Sequence, residues 1–260
     1  MQPANLSGGR IPGTKSNYRS HLPRLGKLMQ RREDLFTPIH KGLRSMMYNL
    51  SSRLQTNDFA NLAATRALTT DLEYDFAAAQ SAGCILCIFN HHATDEDAAI
   101  FSHTEKVARE LTASLIAEHH ELTRRELELA KSAHEILAMD AAEDRIVAGT
   151  RLNAAANELL TAYFAHMNRE ETELVPLMQQ HFTDPEMVAM RSRIIGGMPP
   201  ERVMAILNFM LPSLNVSELT EFVGSVVQTA PPPVANAVTT LAAAKVDPAR
   251  WAEAKSRIGM

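Results

Sequence analysis

Leu115, Leu122, Leu129 and Ile136 recur at seven-residue intervals, the spacing at which side chains return to one face of a helix. Arg124, Glu128 and Lys131 fill the other faces, so this stretch predicts a long helix buried along one stripe. The same pattern gives four helical segments, over 35–54, 66–100, 104–140 and 143–180, with 55–65 as a longer connection. Four helices with short joints predict an all-α fold, an antiparallel four-helix bundle over 34–182. Composition agrees: 11 glycines in 260 residues and 5% aromatics suit neither an all-β sandwich nor a glycine-rich nucleotide fold.

Flanking the bundle, residues 1–33 read as an N-terminal arm, with Gly8-Gly9 and Pro12-Gly13 and little periodicity. Pro176 is expected to end or bend the fourth helix. Residues 183–260 read as a C-terminal extension of four or five short helices. Asp184-Pro185 and Asp247-Pro248 there look like capping Asp residues before a Pro at the first helical position. No apolar run approaches the ~18 residues of a membrane span, and the opening lacks the apolar stretch of a secretory signal. A cytoplasmic protein without a membrane partner is expected. The net charge of −4 gives no electrostatic reason to expect nucleic acid. Cys84 and Cys87 are the two cysteines; they lack the second CxxC of a zinc site, and their simplest role is helix packing.

Ten histidines are the less ordinary feature. Imidazole and carboxylate donors suit iron and zinc, and a helix sets i and i+4 side by side. His92 and Glu96 form one such pair, with Ile85, Ile88 and Phe89 behind His92 on its face. His166 and Glu170 form a second, between Leu159 and Tyr163 on one side and Leu174 and Leu177 on the other. A buried carboxylate needs a compensating charge or a metal. His40 shares its face with Phe36, Leu43 and Met47, and on the third helix either His119 or His120 faces inward. Each long segment thus offers an inward donor, enough for two metal ions with two histidines each and Glu96 and Glu170 bridging. His91 is a lesser alternative to His92, His134 reads as a core histidine away from the site, and His21, His103 and His181 read as incidental. His120-Glu121 and His134-Glu135 do not complete an H-E-x-x-H motif. No P-loop, GxGxxG or nucleophile motif is present.

In IHKGLR, EDAAIF, EHHEL and HMNREETELVP, the chain resembles the hemerythrin-like family, the HHE cation-binding domains, over roughly 35–182. The tail from FTDPEMVAMRSRII to APPPVANAV resembles an extension of some bacterial members. The resemblance implies a four-helix bundle holding a non-haem di-iron centre, though zinc or manganese accept similar donors. The family's oxygen carriers have His-x-x-x-His on the third helix and His-x-x-x-x-Asp on the fourth. Here Leu115 and Ile116 stand four residues before His119 and His120, and Glu170 and Glu171 follow His166. These departures point away from reversible oxygen carriage and towards members that sense iron or oxygen, or handle nitric oxide and redox stress. The expectation is a protein that binds or senses oxygen, nitric oxide or a peroxide at an open iron position. The alternatives are a regulatory module engaging a protein partner through 183–260, and an oxidase or nitrosative-damage repair enzyme.

Overall fold

The computed structural model describes residues 32–70, 72 and 85–260, and among these the regular structure is entirely helical. Asp34 starts α1 (Thr37–Thr56) by accepting the backbone N–H groups of Phe36 and Thr37, and Pro38 occupies the first turn. A short connection leads to α2 (Leu62–Thr70), and α3 spans Ile85–Glu96. The expected 66–100 segment is thus seen as two described helices, and its interior, Cys84 included, lies outside the described residues, as does almost all of the 1–33 arm. Cys87 is buried, in keeping with a packing role.

A π turn over Asp97–Phe101 and the short α4 (Ser102–Thr104) follow α3. The two longest helices are α5 (Arg109–Leu137) and α6 (Ala142–Arg169), joined by a short link and packed against each other as a hairpin. Arg145 closes that link, donating to the carbonyls of Met139 and Asp140, and also to Phe59 and Ala60 after α1. A second π turn, Glu170–Leu174, joins α6 to α7 (Val175–His181). Pro176 therefore does not end the helical path. Its ring has no N–H and crowds the preceding turn, and it stands directly after a turn that is already widened.

Five helices complete the chain: α8 (Asp184–Gly197), α9 (Pro200–Ser213), α10 (Val216–Thr229), α11 (Pro232–Lys245) and α12 (Pro248–Ile258). Asp247 caps α12 as expected, through the Arg250 N–H. Asp184 does not cap α8; Thr183 precedes the helix, with its N–H and hydroxyl both donating to Glu186. Asp184 already belongs to the first turn and instead receives Arg32 at 2.6 Å. Leu207, Leu211, Leu219, Val223 and Trp251 centre a core shared by α9 to α12.

Helix α9 lies along α1. Gly42 permits this approach, because a Cβ there would stand 3.0 Å from the Met210 backbone. Residues Arg32–Met260 form one compact unit. No helix among the described residues is long and apolar enough to cross a membrane.

Candidate metal centre

Two apolar layers bracket a polar one. One cluster holds Leu43, Met47, Phe89, Leu122 and Tyr163. The other holds Phe36, Ile100, Phe101, Leu115 and Leu174, closed over by Met187 and Met190 of α8. Between them, in chain order, fall His40 on α1, His92 and Glu96 on α3, His119 on α5, His166 on α6 and Glu170 at the start of the π turn that follows it. The stripe pattern dictates this: His40 lies one turn from Phe36 and from Leu43, and His119 from Leu115 and from Leu122, while Phe89 and Tyr163 precede His92 and His166 by a turn and Ile100 and Leu174 follow Glu96 and Glu170 by one.

These six residues meet. Glu96, His119, His166 and Glu170 each offer one donor atom to a group spanning at most 4.8 Å, and so do His40, His92 and Glu96. His92 Nε2 lies 3.1 Å from Glu96 Oε1, and His166 Nε2 lies 3.2 Å from Glu170 Oε1. Glu170 Oε2 is 3.3 Å from His40 Nε2, while Glu96 Oε2 is 3.6 Å from His119 Nε2. Each carboxylate therefore touches histidines of both groups. All six are buried or nearly so; His92 is the most accessible, with 11% of its side chain exposed. His120, one of the two third-helix candidates, is exposed to solvent, because one residue along a helix turns the side chain by about 100°. His134, expected in the core, is also exposed. His91 is half-buried and outside the cluster.

Three histidines are held from behind. His119 Nδ1 is 2.8 Å from Asp97, His166 Nδ1 is 2.8 Å from Glu118, and His40 Nδ1 is 2.9 Å from Glu171. Arg44 holds Glu171 at 2.7 Å, and Arg169 holds Glu118. A carboxylate behind Nδ1 fixes the proton there and leaves the Nε2 lone pair for the centre of the cluster. The sequence pattern did not expose Asp97, Glu118 or Glu171, yet each is adjacent in sequence to a cluster residue. The two π turns matter here too. One begins just after Glu96 and the other at Glu170, so both cluster carboxylates sit where the helix is widened, a feature that recurs at functional sites.

Charge is poorly compensated among these side chains alone. Burial, and next the neighbouring Glu170, push the Glu96 carboxyl well above its usual range. Burial also acts upward on Glu170, but His166, His40 and His92 outweigh it and hold this carboxyl low. His92 is driven well below the ordinary imidazole value by burial and by His40. For His166, burial acts downward but Glu170 and Glu118 outweigh it and raise the value. Meanwhile His40 Nε2, His92 Nε2, Glu96 Oε2 and both Glu170 oxygens are buried without a hydrogen-bond partner. Buried polar atoms normally have one, and a divalent cation would satisfy all of them while replacing the protons. Neutral imidazole plus carboxylate is the donor set of iron, zinc and manganese. The residues fit a metal ion. Searches against protein-family models, curated proteins and solved structures return no match to this chain.

Proposed function

We propose that the chain is a hemerythrin-like di-iron protein, in which α1, α3, α5 and α6 form an antiparallel four-helix bundle around two ions, with α8 to α12 as the extension. His40, His92, His119 and His166 would be the nitrogen ligands, and Glu96 and Glu170 the bridging carboxylates. The observation that carries this reading is the convergence of buried Nε2 and carboxylate atoms, among which His40 Nε2, His92 Nε2, Glu96 Oε2 and both Glu170 oxygens have no hydrogen-bond partner, while His40, His119 and His166 are each anchored at Nδ1 by a further carboxylate. When bound, iron supplies affinity for oxygen, nitric oxide or a peroxide at an open position. The chain's own part is to orient the rings, to keep each Nδ1 proton on its ring by hydrogen bonds to Asp97, Glu118 and Glu171, and to exclude water. Phe101 stacks on His119 with ring centres 5.2 Å apart, and Phe36 lies 5.6 Å from His40. A ligand crossing that apolar layer must be small, and charge would be costly to bring in. The pair substitution His92→Ala with His166→Ala tests the reading: bound metal should fall to background by elemental analysis, and unaltered metal content would refute it.

A second reading, a regulatory module, is favoured by two ion pairs beside the cluster. Lys41, next to His40, donates to Glu218 of α10 at 2.6 Å, and Arg202 of α9 donates to Asp95, next to Glu96, at 2.8 Å. Metal state would then act on how α9 and α10 seat, and through them on a protein partner of 183–260. Deleting 183–260 distinguishes the two: a helical bundle that retains its metal favours a separate role for the extension.

A further inference from the structure

The two halves of the cluster are not built alike. The group of Glu96, His119, His166 and Glu170 offers four donors, all buried, whereas that of His40, His92 and Glu96 offers three, with His92 partly exposed. Both glutamates reach across, as the 3.3 Å approach of Glu170 to His40 shows. The lasting difference lies in how the histidines are held.

In the four-donor half both rings are anchored. Asp97 fixes His119, and Glu118 fixes His166 while Arg169 fixes Glu118. The two Nε2 atoms are already 2.8 Å apart. In the three-donor half, His40 is anchored by Glu171 and Arg44, but His92 makes no hydrogen bond among the described residues. Its neighbours are the edge-on ring of His40, 5.2 Å between centres, and Glu96 one turn on. An anchoring carboxylate is worth roughly 10- to 100-fold in metal affinity. An unanchored ring must also be ordered at the moment of binding.

We infer that the two metal positions are inequivalent: the four-donor position fills first and keeps its ion, while the His40/His92 position is the exchangeable one. His92 is the arm that lets go. The exchangeable half then takes whichever first-row divalent cation is available, so the chain can carry a mixed pair. This inference rests on the metal-binding reading above.

The test loads the full-length chain with cobalt(II) alone and withdraws it with graded chelator, counting ions per chain by elemental analysis. Loss in two steps is expected, with midpoints separated by at least about tenfold in chelator. His92→Ala should keep one ion at chelator concentrations where His119→Ala keeps none, and the milder His92→Gln should behave as His92→Ala does. A single-step loss from the unsubstituted chain, or equal losses from the His92 and His119 variants, overturns the inference and leaves the metal-binding reading standing. Failure of the unsubstituted chain to hold any cobalt overturns both.

Discussion

Glu126 is buried on α5, seven residues after His119, and its place in the core makes stability depend on pH. One of its oxygens accepts the Tyr163 hydroxyl, and the other has no partner. Burial pushes the carboxyl from 4.5 to about 8, against a smaller downward pull from the Tyr163 hydrogen bond. In the unfolded chain the group loses its proton near the ordinary value, so between the two values only the folded state holds it. The sign follows: this stability is fully present below the unfolded value, falls as pH rises through the folded one, and is level above it. The slope is about 1.4 kcal/mol per pH unit, and the whole span is on the order of 5 kcal/mol. Glu126→Gln keeps the shape and an acceptor for Tyr163 but cannot ionise. Urea denaturation of both proteins in the same metal state, at about pH 5 and about pH 8, gives the difference directly. Relative to the variant, the unsubstituted chain should lose several kcal/mol between them, on the order of the span above. A difference that changes by less than about 0.5 kcal/mol would refute the burial argument.

Other perturbations address the cluster and its supports. Asp97→Ala removes the anchor of His119 and should weaken metal binding roughly 10- to 100-fold, read by competition with a chromophoric chelator; unaltered affinity would show that the anchor is idle. Gly42→Ala sets a Cβ 3.0 Å from the Met210 backbone, forcing α1 and α9 apart. A loss of about 1–3 kcal/mol in thermal unfolding is expected, and an unchanged midpoint would mean the two helices yield freely. Stripping the metal should lower the unfolding midpoint, since free ligand at a hundred times Kd stabilises by about 2.7 kcal/mol. A midpoint insensitive to chelator would separate the cluster from stability.

Much of this arrangement is legible in the sequence. An apolar stripe interrupted by His or His-x-x-x-Glu says which helical faces are inward; His40, Glu96, His166 and Glu170 follow from it, and it favours His92 over the neighbouring His91. The choice between His119 and His120 does not follow, because apolar residues flank both and only the packed phase of α5 decides. Asp97, Glu118 and Glu171 stayed hidden for a related reason. Each is an ordinary half-exposed carboxylate on its own helix, and its role comes from a histidine on another, so it depends on helix-to-helix register. The π turns left little trace, since a widened turn has no side-chain period of its own; Pro176 after the second is the one hint. Asp184 misled because Asp before Pro suits both a cap and a first turn, and Thr183 with Glu186 made the stronger start.

Metal binding by the buried His and Glu layer is the proposal on which the others rest. It is tested most directly by elemental analysis of the full-length chain purified from iron-supplied cells, with an optical spectrum of the same sample. About two irons per chain are expected, as two-ion bundle centres hold, with ferric charge-transfer absorption that disappears on chelation. Metal-free protein whose stability is unchanged by added iron would contradict it.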